Sequence, residues 1–228
     1  TALAARRSSS LDCYTITFRQ DDRAFEAMPD DAFYARKVAD FLGVKLHEIQ
    51  INPDIASMLP EIVGILDEPI GDAAAINTYL ICQAAKKAGI KVLLSGMGAD
   101  EIFAGYRKHY ACLLAQQYRK LPSFVRQGLI EPLVNLLPVA GDNASYRTFR
   151  WAKRFTSFAG LPEEAAFRRS YTYYDVEEMR LLLDRSLWPC IDKLVDEHRA
   201  IYEIAPTPDV VNRMCYTDVH MFMAGLNL

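Results

Sequence analysis

The sequence contains no C-x-x-C pair, no G-x-G-x-x-G, no G-x-x-x-x-G-K-[ST] and no apolar run of membrane-spanning length. Each absence excludes a class. Without the two glycine signatures, neither a dinucleotide fold nor a P-loop NTPase is supported. The five cysteines (Cys13, Cys82, Cys112, Cys190 and Cys215) are odd in number and far apart. A disulfide framework or structural zinc site is therefore not expected, and a reducing compartment, the cytoplasm, is. No membrane span is expected, and the start "TALAARRSSS" does not read as a signal peptide. There is no basic excess either: 26 Lys and Arg against 29 Asp and Glu leave a net charge of −3. That argues against a dedicated nucleic-acid binder. What is present is core-forming material. Of 228 residues, 51% are hydrophobic and 24% charged, enough for one large domain or two small ones.

The first half alternates strand and helix patterns. "LDCYTITF" (11–18) is rich in β-branched and aromatic residues and reads as a strand. "DDAFYARKVADFLG" (30–43) carries apolar residues at helical spacing and ends on Gly43, a natural C-terminal cap. "VKLHEIQI" (44–51) alternates as a second strand. "PDIASMLPEIVGILDEP" (53–69) reads as mostly helical, interrupted at Pro60 and stopped near Pro69. Asp72 is placed to cap a long helix over 73–89. "IKVLLS" (90–95) reads as a third strand. This alternation predicts an α/β fold, a parallel sheet with helices on both faces.

After residue 106 no convincing strand follows. Helices are expected within 106–121, 123–137, 145–159, 175–183, 190–204 and 209–226. The domain reading is an α/β part over 1–110 and a helical part over 111–228. "YRTFRWAKRF" (146–155) mixes Arg147, Arg150, Lys153 and Arg154 with aromatics, and reads as an amphipathic helix with snorkelling cations rather than an RNA surface. His47, His109, His198 and His220 show no metal-ligand spacing, so core or solvated histidines are expected.

The chemistry concentrates in "SGMGADEIFAGY" (95–106), directly after "IKVLL". Ligands of open α/β sheets bind at the carboxyl ends of strands, and glycines there let backbone approach a ligand closely. Asp100 and Glu101 open a helix. They can serve its macrodipole, or beside a nucleotide they can hold Mg²⁺, a hard cation that takes oxygen ligands and bridges phosphates.

"VLLSGMGADEIFAGY" closely resembles the second signature of the asparagine synthetase family, in the ATP-pyrophosphatase domain of glutamine-dependent enzymes. "YTITF", "YARKVADFLGVKLHEIQI", "DEP" (67–69) and "INTYLICQAAKKAGIKVLLSG" follow in the family's order. The resemblance covers residues 1 to 110 well, and "MFMAGLNL" resembles the approach to a further motif. It implies a Rossmann-like adenine-nucleotide hydrolase type of sheet. It also implies that ATP adenylates a side-chain carboxylate, aspartate in the type enzyme, releasing pyrophosphate, after which ammonia from glutamine displaces AMP. ATP and Mg²⁺ are the cofactors implied. A glutaminase domain is expected in the full-length chain, with no nucleic-acid or membrane partner, and a homodimer is one assembly the family allows.

Residue by residue, the resemblance assigns Asp100 to Mg²⁺, Ser95 and Gly96 to the adenosine part of ATP, and the backbone of Ile16 to adenine. It leaves the catalytic residues unknown and the role of Glu101 open. Asp67 and Glu68 match the "DEP" element, which also reads as a plain polar turn. The family's pyrophosphate loop, SGG-x-D-S, is absent from the sequence given. The chain therefore reads as an internal fragment that is expected to be inactive alone. Met97 stands where the type enzymes carry glutamate, which leaves the acceptor open. A relative amidating or cyclising a different carboxylate, or a non-catalytic module of the same fold, are the other readings.

Overall fold

The computed structural model describes residues 1–8, 10–17, 31–50, 55–66, 74–138 and 144–227. A short helix, α1 (Ala2–Ala5), precedes strand β1 (Asp12–Thr17). Helix α2 (Asp31–Leu42) leads into β2 (Lys45–Gln50). The two strands pair in parallel, with Asp12 opposite Lys45 and Thr17 opposite Gln50. This bears out the first two strands and their direction. A parallel pair needs a crossover rather than a hairpin, and α2 supplies it, packing on both strands.

Gly43 ends α2 as expected. At φ +65° it turns the chain left-handed, while its N–H donates to the Asp40 carbonyl and that of Val44 to the Ala39 carbonyl. These two bonds are the Schellman arrangement, and glycine adopts the left-handed turn without a Cβ penalty. The same device recurs at Gly89 (φ +79°), where Gly89 and Ile90 donate to the carbonyls of Lys86 and Ala85. Arg36 grips Glu48 with two hydrogen bonds of 2.6 Å, tying α2 to β2.

Two expectations in this region fail. Helix α3 (Ile55–Leu66) runs through Pro60 instead of breaking there. Proline removes one intrahelical bond, but the turn beyond it is held from outside: Ile62 is buried, and Tyr79 of α4 (Ala74–Lys87) donates to Glu61 Oε1 at 2.6 Å. The third strand is the larger correction. Residues 90–95 belong to no strand, and β1 and β2 pair only with each other among the described residues. Val92 and Leu94 are 76% and 85% exposed. Strand preference is a preference for a paired, covered position, and among the described residues no strand pairs with this run. Asp72 and the Asp67–Pro69 element lie outside the described residues.

The chain divides into two compact units, Thr1–Gly96 and Met97–Leu228. The second is helical: α5 (Ala99–Phe103), α6 (Arg107–Arg119), α7 (Ser123–Val125), a π-helix (Arg126–Ile130), α8 (Glu131–Asn135), α9 (Ala144–Ala159), α10 (Glu163–Tyr171), α11 (Val176–Leu182), a 3₁₀ turn (Arg185–Leu187), α12 (Trp188–Ile204), α13 (Val210–Thr217) and a π-helix (Asp218–Asn227). Every expected helix of this half is found, with a capping box at Asp175 and Glu178 opening α11. Helix α10 was not expected, and it carries the centre of the core. Phe167 is fully buried, packed with Cys112, Ala115 and Tyr118 of α6, Phe158 of α9, Tyr202 of α12 and Met214 of α13. Its start and stop signals are present in sequence: Pro162, then Glu163 and Glu164, with Arg168 and Arg169 in the last turn.

All five cysteines are free thiols. Burial pushes the Cys112 thiol up to about 11, which makes it an inert core residue. On the basic helix, Arg154 donates to the carbonyls of Arg169 and Thr172, and Arg107 lies over the Trp151 ring at 5.2 Å. Both interactions are internal, as the amphipathic reading expects.

Phe167→Ala is expected to destabilise the second unit by about 3–5 kcal/mol, read by denaturant unfolding. Burial raises the phenol pKa of Tyr106, Tyr118, Tyr171 and Tyr202 above the ordinary value. The folded state thus holds protons that the unfolded chain releases near pH 10. Stability should be intact below about pH 10 and fall as pH rises beyond it. Phenolate absorbance and helical circular dichroism should then change together; phenolate appearing for these four tyrosines before unfolding would contradict it.

Candidate functional site

The glycine-rich stretch folds as a loop around a very short helix. Gly98 is buried at φ +93° and opens α5. Four residues on, the Ile102 N–H donates to the Gly98 carbonyl at 3.1 Å. The helix stops at Ala104, which turns left-handed at φ 56° and ψ 41°. The Gly105 N–H then closes back on the Asp100 carbonyl at 3.0 Å. Tyr106, extended, starts α6. One helical turn is thus bracketed by two left-handed residues.

The two acids have separated fates. Glu101 is 1% exposed, and the Tyr106 hydroxyl donates to its Oε1 at 2.6 Å. Burial, reinforced by Glu101, raises the Tyr106 phenol pKa, so it remains a donor. Through this bond Glu101 joins α5 to the start of α6. Asp100 is exposed. Its carboxylate lies over Gly105 so closely that a Cβ at position 105 would fall 2.0 Å from Oδ1. A side chain at position 105 would push the Asp100 carboxylate out of this resting position.

Ser95, Gly96 and Ile16 belong to the first unit, Asp100 to the second. Ser95 and Gly96 are exposed and in irregular backbone, and no side chain crowds Gly96. Ile16 lies in β1 opposite Ile49. Met97, at the start of the second unit, is also exposed.

Among the described residues no three His, Cys, Asp or Glu side chains gather as a metal cage. Two of the histidines are core residues, each hydrogen-bonded to a carboxylate: His109 to Asp218 at 2.8 Å and His198 to Glu164 at 2.6 Å. No described helix is long and apolar enough to cross a membrane.

The sequence offered no local sign of one further set. Lys108 and His109 meet Asp218 across more than 100 residues of chain, and nothing in their spacing announces the pairing.

Comparison with known proteins adds the family. A family model described as asparagine synthase matches residues 1–228. The chain is 26% identical over 223 residues to asparagine synthetase [glutamine-hydrolyzing] 1 of Bacillus subtilis (strain 168), covering 95% of this chain and 31% of that one. It is 31% identical over 116 residues to the amidase chyE of Penicillium rubens, covering 50% of this chain and 16% of that one. It is 29% identical over 118 residues to the amidase chry2 of Gibberella zeae, covering 51% and 17%. The chain spans less than a third of the length of each of these relatives. No solved structure matches it. With the family match running through every residue from 1 to 228, the chain belongs to the asparagine synthase family.

Proposed function

We propose that this chain is the synthetase part of an ATP-dependent carbon–nitrogen ligase that adenylates a side-chain carboxylate, aspartate in the first instance, and passes it to ammonia from a glutaminase domain. The observation that carries the reading is the exposed Asp100 carboxylate, lodged over Gly105 at the tip of a loop whose other acid is buried. A free carboxylate is a poor acyl donor; an acyl-adenylate has a good leaving group. The protein's task is to position the acceptor and to neutralise charge on the departing pyrophosphate.

The roles follow the sequence assignments. Ser95 and Gly96 offer a hydroxyl and uncrowded backbone to ATP, and the Ile16 backbone takes adenine. Asp100 would hold Mg²⁺. The fit rests on its chemistry: an exposed carboxylate offers the oxygen ligand that a hard cation arriving with its nucleotide prefers. When bound, Mg²⁺ offsets phosphate charge. In this reading β1 and β2 belong to a wider parallel sheet, 1–110 serves the nucleotide, and 111–228 is its helical partner. The setting is cytoplasmic and a homodimer is an allowed assembly.

A second acceptor is supported by Met97. An exposed thioether offers neither charge nor proton, so a carboxylate other than that of aspartate, amidated or cyclised, is the variant of this reading that Met97 favours. The amidase names of two relatives are compatible with it.

The test uses the polypeptide as its gene encodes it, assayed for pyrophosphate release with ATP, ammonia and a panel of carboxylates. Asp100→Asn should cost about 10²–10³ in rate with an unchanged thermal melt and intact glutamine hydrolysis. If Asp100 serves only the helix dipole, asparagine should replace it at little cost, and near-normal release would overturn the reading. Gly105→Ala should reach the same endpoint by another route, because the new Cβ displaces the Asp100 carboxylate. We expect a loss of roughly tenfold or more with a melt shifted by less than about 4 °C. A Gly105→Ala enzyme of full activity would show that the resting position of the carboxylate is unimportant.

A further inference from the structure

Helix α5 has five residues, and the bonds at its ends are those of the Ile102, Ala104 and Gly105 amides. One turn of helix does not hold itself in water, so its geometry must be imposed from outside. Helix α13 packs on it, and so does the π-helix Asp218–Asn227. Its hydrogen bonds reach five residues rather than four, which brings positions four and five apart onto one face. Asp218, Phe222 and Met223 form that row.

Each member of the row meets the loop or the first turn of α6 that follows it. Asp218, 1% exposed, accepts from Lys108 Nζ at 2.6 Å and from His109 Nε2 at 2.8 Å. Phe222 packs edge-on against Tyr106 at 5.8 Å. The Met223 Sδ lies 3.0 Å from where a Cβ on Gly98 would stand. The contacts therefore fall at positions 98, 106, 108 and 109, on both sides of Asp100. Lys108 is held in turn by aromatic faces: its ammonium lies 4.5 Å from the Tyr171 and Phe222 ring centres, 4.8 Å from Tyr106 and 5.4 Å from Phe167.

We propose that Asp218 is a positioning residue: through Lys108, His109 and the row it shares with Phe222 and Met223, it sets the geometry of the Asp100 loop without touching substrate. The proposal rests on the reading of Asp100 given above. It locates a determinant of activity more than a hundred residues from the glycine-rich stretch.

The test is Asp218→Asn in the polypeptide as its gene encodes it, with two readouts. Hydrogen exchange should quicken by roughly tenfold or more at the Ile102 and Gly105 amides, while amides of α9 and α10 keep their rates. Pyrophosphate release should lose about 10–100-fold in kcat, with KM for ATP within about threefold of the parent. Unchanged exchange at those two amides overturns the proposal. So does a uniform acceleration through the whole second unit, which is the signature of a merely structural role. Faster local exchange with normal turnover also overturns it. If Asp218→Asn does not fold, Met223→Ala leaves the ion pair intact and withdraws the contact on Gly98. The same local exchange and the same kcat loss are expected from it, and their absence overturns the proposal. If the parent protein releases no pyrophosphate with any carboxylate, the ligase reading fails, and the exchange measurement alone still decides whether Asp218 orders the loop.

Discussion

A buried carboxylate must be paired, and Asp218 imposes that constraint on the second unit. Its two oxygens are committed to Lys108 and His109, all three side chains being largely removed from water. Breaking such a pair by removing one partner typically costs about 3–5 kcal/mol, because the other charge stays buried. The start of α6 and the start of the final π-helix can therefore meet in few ways. The aromatic residues follow from the same constraint. Tyr171 and Phe167 come from α10, Tyr106 from the loop and Phe222 from the π-helix, and all four face the Lys108 ammonium. Ring faces attract a cation most where it is poorly hydrated. A polar pair thereby organises the aromatic core that surrounds it, and the Phe167 ring contacts both His109 and His198.

From this frame the loop acquires its shape at low local cost. Gly98 tolerates both its left-handed backbone and the Met223 thioether, and Gly105 tolerates the Asp100 carboxylate. Ala104 is the strained member, a left-handed residue with a side chain, which costs roughly 1–2 kcal/mol. The arrangement keeps Glu101 inside and Asp100 outside, although the two are adjacent.

What could be read from the sequence were the features written locally. The composition of the first two strands, the Gly43 cap and the spacing of most helices are short-range, and each is found where local rules put it. The failures are tertiary. Residues 90–95 have strand composition, but a strand exists only through its neighbours, and "IKVLLS" has no ladder partner among the described residues. Pro60 should break a helix, but contacts beyond it outweigh one lost bond. Helix α10 was missed although Pro162 and its two acids mark its start, because nine residues give too short a periodic pattern to stand out from the loops around it. The Lys108–Asp218 pair is the extreme case: neither residue carries a local signature, and only the folded chain brings them together.

The acid pairs that open α5 and α10 bear on the site itself. Glu163 and Glu164 both follow Pro162 and sit at a helix N-terminus, where the macrodipole favours negative charge. Yet neither is left to that task alone. Glu163 accepts from Tyr202 at 2.8 Å, and Glu164 accepts from His198 at 2.6 Å and Arg168 at 3.0 Å, so both tie α10 into its surroundings. Glu101 behaves the same way through Tyr106. Among these four acids Asp100 alone faces solvent. If first-turn acids here served only their helix dipoles, position alone would decide their environment and the four would look alike. Three are instead drawn inward by neutral donors or cations, while Asp100 lies outward over Gly105. That contrast sets Asp100 apart from Glu101 more sharply than their adjacency in sequence could, although the first-turn acids of α11, Glu177 and Glu178, are exposed as well.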